Sequence, residues 1–261
     1  MTPEDLTALE RAVRSLEHPS LAARLTNLAG KPIELLGLAL PASASHAITI
    51  ATSKSLEAAL KAALRTMPQK PRAGSQRLHK ALATASGAAG GAFGLLALPV
   101  ELPVSTIIML RSIADIARSE GEDPAEPETA LACVQVFALG GRAGSDDASE
   151  SGYFAVRGML AKTVSEAARF IGERGVIQEG GPLLLRFITQ VASRFGVVVS
   201  QKVAAQTLPV LGALGGAAVN YAFMEHFQEV ARSHFTIRRL ERTYGKELVR
   251  SEYERIHLGA A

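Results

Sequence analysis

The chain has 261 residues, 48% of them hydrophobic, 20% charged and 5% aromatic, with a formal charge of +3. That length buries a sizeable core as one large domain or two small ones, and the apolar weight falls on Ala, Leu, Val and Gly, which suit helices packed closely together. The single cysteine, Cys133, excludes an intramolecular disulfide and any multi-cysteine zinc or iron–sulfur site, and a mean hydropathy of +0.16 is high for a soluble protein and low for a multi-span membrane protein.

Thr2 followed by Pro3, Glu4 and Asp5 is a helix start, with a capping hydroxyl, proline at the first position and acids in the first turn. Leu6, Leu9, Val13 and Leu16 then form one apolar stripe. This acidic, amphipathic start lacks the basic beginning and apolar run of a signal peptide, so a cytoplasmic chain is expected. A short helix runs from Pro19 to near Gly30, and residues 41–66 read as a helix with an Ala/Leu face. MPQKPRAGS, 67–75, reads as a flexible connection. The next helix starts near Ser75 and enters GAAGGAFGLLALPVELP, Gly87 to Pro103.

After Pro103 an amphipathic helix runs to Gly121, with Arg111 and Asp115 expected to pair at a spacing of four. An acidic loop, GEDPAEPE, precedes a helix from about Glu128 that carries Cys133 as a small buried residue. GGRAGSDDASESG, 140–152, reads as a second flexible connection. Helices are expected from Tyr153 to Glu173 and from Pro182 to Arg194, after which only Gly196 to Val199 has strand composition. TLPVLGALGGAAVNYAFM, 207–224, is apolar and glycine-rich and continues into a long helix that Gly245 closes. The pattern is all-α: a compact multi-helix bundle, one domain over 1–261, with two glycine-rich apolar helices at its centre.

From Ala81 to Val100 there is no charge, a length that can span a bilayer. Its few strongly apolar side chains favour insertion by only about 2 to 4 kcal/mol in total, and Glu101 follows directly, so an independent span is not expected. The glycine spacing points to packing instead. Gly87 and Gly91, Gly90 and Gly94, and Gly212 and Gly216 each lie four apart, a spacing that grooves one helix face for a close neighbour. Before this segment come Lys61, Arg65, Lys70, Arg72, Arg77 and Lys80 with no acid among them. Such a run is either a solvated basic face or a seat on an anionic membrane surface, where each basic residue contributes about 1 kcal/mol. It carries no aromatic residue for base stacking, so nucleic acid is not an expected partner.

Three segments together resemble one family: KPIELLGLALPASASHAITIATSKSLEAALKAAL, GGAFGLLALPVELPVSTIIMLRSIADIARSEGEDP and LPVLGALGGAAVNYAFMEHFQEVARSHFTIRRLERTYG are similar to the EcsC family over about residues 31–250. The resemblance implies a bacterial helical protein, cytoplasmic or membrane-associated, with a founding member encoded beside the two components of an ABC transporter. It implies no established reaction.

No nucleophile elbow, H-E-x-x-H or phosphate-loop motif is present in the sequence, and Glu254 with His257 is a lone E-x-x-H where a di-iron bundle needs two. Neither a metal nor a cofactor is expected. On the long C-terminal helix, Val219, Phe223, Val230, Ile237 and Leu248 mark a buried face. His226, His234, Glu241 and Tyr244 fall on or beside it, Asn220 at its edge beside Arg238, and Arg232, Arg239, Lys246 and Glu225 opposite. Buried polar groups need partners. Glu101, with proline on either side, reads as a carboxylate held where a helix breaks, and it is expected to meet Asn220 and one of His226, His234 or Arg238. The functional reading is a membrane-associated accessory protein that holds lipid or a membrane protein partner, placed in the cytoplasm and peripherally on the inner membrane. The alternatives are a hydrolase using Glu101 with an inward histidine, and a soluble bundle that dimerises through its apolar surface.

Overall fold

A computed structural model describes residues 1–17, 21–29, 42–66, 98–141, 152–174, 181–206 and 212–259. Among these, nine helices occur and no strand: α1 (Pro3–Glu17), α2 (Leu21–Ala29), α3 (Ala42–Thr66), α4 (Leu98–Ser119), α5 (Pro127–Leu139), α6 (Gly152–Arg174), α7 (Pro182–Gln206), α8 (Gly212–Tyr244) and α9 (Lys246–Gly259). The all-α expectation holds. The first glycine segment, Gly87, Gly90, Gly91 and Gly94, lies outside the described residues, as do Lys70, Arg72, Arg77, Lys80 and most of both expected connections.

The predicted start of α1 is formed: the Thr2 hydroxyl accepts the Asp5 N–H at 3.2 Å. Leu9, Val13 and Leu16 are buried on its inner face. The turn after α4 is closed by Gly121 at φ +82. Its N–H bonds the Arg118 carbonyl and the next N–H, of Glu122, bonds that of Ala117, so two otherwise orphaned helix-end carbonyls are satisfied. This turn delivers Glu120 and Glu122 to α8. Gly245, at φ +90, ends α8 as expected and starts α9 at once.

The 33-residue α8 is about 50 Å long and runs against α1, α2, α4, α5, α7 and α9. Helix α5 is buried on every side from Thr129 to Leu139, as a helix apolar all round must be. Phe137 of α5, Phe195 of α7 and Phe223 and Phe227 of α8 interlock with ring centroids 4.8–6.0 Å apart. Cys133 is fully buried, and burial pushes its thiol far above the usual range.

Several expectations are corrected. Gly196 to Val199 is helical, part of an α7 that continues to Gln206 instead of stopping at Arg194. β-Branched residues fit a helix when its tertiary neighbours bury them, and Val198 and Val199 are buried. Asp115 pairs with Arg118 at 2.8 Å, three residues on. Leu248 lies on α9 and is 43% exposed, because the turn at Gly245 changes the helix axis. Arg239 is not on a watery face: it bridges Asp5 of α1 and Glu120.

Helix α7 is, among the described residues, the one helix long and apolar enough to cross a membrane, with a mean hydropathy of 1.4 over its most apolar stretch, 39% of it buried. It packs on α2, α3, α5, α6 and α8 and carries a buried lysine, as a core helix of a bundle can.

Candidate functional site

Glu101 stands in the first turn of α4, not at a break. Pro99 and Pro103 fall within the first six residues of that helix, where the leading N–H groups have no partner inside the helix. Only Pro103 removes a bond, the one to the Pro99 carbonyl. A carboxylate in a first turn also gains from the aligned peptide dipoles.

The Glu101 side chain is 5% exposed. Its Oε1 accepts hydrogen bonds from Lys202 Nζ of α7 at 2.7 Å and from Asn220 Nδ2 of α8 at 2.9 Å. Lys202 is fully buried, with its ammonium 4.9 Å from the Phe223 ring centroid. Burial pushes the lysine below its ordinary range and the adjacent carboxylate opposes that shift. One acid, one amide and one ammonium thus tie three helices together.

The predicted Glu101–Asn220 contact is formed, but the cation is Lys202, not a histidine or Arg238. His226 is 2% exposed, and its Nε2 lies 2.7 Å from the Gly140 carbonyl. A carbonyl only accepts, so Nε2 carries the proton and Nδ1 the lone pair. Burial lowers its pKa to about 4. His234, fully buried, has Nδ1 3.0 Å from the Tyr153 hydroxyl, and burial also holds it well below the usual range. It lies fourteen residues beyond Asn220, about 21 Å along the axis. Arg238 forms two bonds to Glu122 at 2.6 and 2.9 Å, and Arg242 joins the same carboxylate. Glu241 receives Arg157 of α6 at 2.8 and 3.0 Å. The six candidate residues therefore divide into a buried ion pair around Glu101, a capped histidine at Gly140, and an arginine–carboxylate cluster near α6. Glu101 and a histidine do not form an acid–base pair. Of the glycines, Gly216 is buried on α8 and Gly212 begins it; of the basic run, Lys61 is exposed on α3, which also holds Arg65 in its last turn.

Lys202 had a readable signal: it is the only charge between Arg194 and Glu225. Glu17 had none. Its carboxylate accepts the Gly152 and Tyr153 N–H groups at 3.2 and 3.4 Å and the Tyr253 hydroxyl at 2.6 Å, joining α1, α6 and α9. These partners lie 135, 136 and 236 residues away in sequence. No group of three or more metal-ligating side chains occurs among the described residues.

Comparison with known proteins agrees with the segment order. The model of the EcsC protein family matches residues 4–240. No curated protein and no solved structure gave a match. A match over nearly the whole chain establishes that the chain belongs to the EcsC protein family.

Proposed function

We propose that the protein is a non-enzymatic accessory protein that seats on an anionic membrane surface through the segment leading into α4, where it serves a lipid or a membrane protein partner. The observation that carries this reading is a pair of exposed valines. Val100 is 72% exposed and Val104, one turn later on α4, is 45% exposed. Val100 closes a stretch that carries no charge from Ala81 and that follows six basic residues from Lys61 to Lys80, and Val104 stands just beyond Glu101. Single exposed apolar side chains are ordinary on a protein surface. A basic run, an uncharged segment and an exposed apolar step in immediate succession supply the two signals that reversible attachment needs, charge attraction and apolar burial.

Flotation of the full chain with phosphatidylglycerol-containing vesicles and with neutral vesicles tests the reading. The protein is expected to rise with the anionic vesicles only, and to stay at the bottom when Val100 and Val104 are both changed to Asp. Failure of the unaltered protein to float with either lipid overturns it.

A further inference from the structure

A cleft of about 630 Å³ opens between α5, α6 and the C-terminal half of α8, away from Glu101. We infer that this cleft is a binding site for a phosphate group, carried either by a soluble phosphate ester or by a lipid headgroup. Arg157, Arg238, Arg242 and Lys246 line it, against Glu128 and Glu241, with Glu122 engaged by Arg238 and Arg242. The cation excess is carried by side chains that keep donors to spare. A guanidinium has five N–H groups. Among the described residues, Arg157 bonds Tyr153 and Glu241 with three hydrogen bonds and Arg238 bonds Glu122 with two. Both guanidiniums are held rigidly by bidentate carboxylates, so little side-chain freedom is lost when they accept a further anion.

A second observation is independent of the charges. Gln135 of α5 lines the same cleft and is only 6% exposed. A primary amide that lines a cleft together with fixed guanidiniums offers both a donor and an acceptor to a phosphate ester. The volume suits a small molecule. Four cations against Glu122, Glu128 and Glu241 leave a net positive charge that favours an anion with several acceptor oxygens for the spare N–H groups.

The site does not rest on the membrane reading, and its test is separate. Titration calorimetry of the full chain with sodium pyrophosphate at low salt is expected to show saturable binding, with no heat from sodium acetate at matched ionic strength. Lys246→Ala, an exposed change, is expected to weaken binding three- to tenfold, and Gln135→Leu about tenfold. Arg11→Ala, in the separate cleft between α1 and α8, leaves it unchanged. Absence of saturable pyrophosphate binding, or binding that both cleft variants leave intact, overturns the inference. The source follows from competition: pyrophosphate that displaces the protein from phosphatidic acid vesicles assigns a headgroup to the cleft, and pyrophosphate binding without effect on vesicles assigns a soluble ester.

Discussion

Lys202 Nζ and Glu101 Oε1 meet 2.7 Å apart inside the bundle, the lysine fully buried and the carboxylate side chain 5% exposed. Removing one charge leaves the other in a low-dielectric interior, which costs about 3 to 5 kcal/mol, whereas replacing both by apolar residues is nearly neutral or stabilising. Lys202→Met and Glu101→Gln are each expected to lower the urea midpoint strongly, and Lys202→Met with Glu101→Leu to recover most of the loss. A pair that works only as a structural tie gives this non-additive result with function per folded molecule unchanged. Single variants within about 1 kcal/mol of the parent would refute the tie.

Acid weakens the fold through its histidines. His226 titrates near pH 4 in the folded chain against an ordinary value of 6.5. The unfolded chain therefore binds more protons between these values, and stability falls as pH falls. The contribution is complete above pH 6.5 and is lost progressively toward pH 4, by about 3 kcal/mol. His234, lowered for the same reason, adds loss of the same sign. Urea unfolding between pH 7.5 and 4.5 is expected to show this slope. His226→Gln, which keeps an N–H for the Gly140 carbonyl, is expected to flatten part of it.

Gly140 ends α5 with ordinary helical angles, so its lack of a side chain serves space, not backbone freedom. A Cβ there would sit 2.5 Å from Phe227 Cε1 and 3.0 Å from His226 Nε2. Phe227 is wedged among Phe137, Phe195 and Phe223 and has no room to withdraw. Gly140→Ala is expected to cost about 1 to 3 kcal/mol, measured by thermal or urea unfolding. A neutral result would mean that the aromatic cluster repacks freely.

Glu17 caps the start of α6 while it receives the Tyr253 hydroxyl. Loss of a cap costs about 1 kcal/mol, and loss of a hydrogen bond to a charged group about 1.5 to 3 kcal/mol. Glu17→Ala is expected to cost roughly 2 to 4 kcal/mol, and Tyr253→Phe about 1.5 to 3 kcal/mol. The double variant is expected to cost less than their sum. Hydrogen exchange is expected to rise at Gly152 and Tyr153 in Glu17→Ala. Unchanged protection there would remove the capping role.

Helical period, a capped start at Thr2 and stops at Gly121 and Gly245 were legible because each rests on neighbours within one or two turns. The inward face of α8 was legible for the same reason, and with it the burial of His226 and His234. Glu101 and Asn220 were legible as polar groups at the edges of apolar segments. What each of them touches depends on which helices cross, and period carries no information about crossing. The sequence alone therefore determined an all-helical chain of this family and the polar residues its interior must satisfy. Only the tertiary structure decided that Lys202 answers Glu101, that Glu122 gathers Arg238 and Arg242, and that Glu17 joins three helices. Those partners come from far-separated segments, and a buried charge is satisfied by whatever counter-charge the packing brings within about 3 Å.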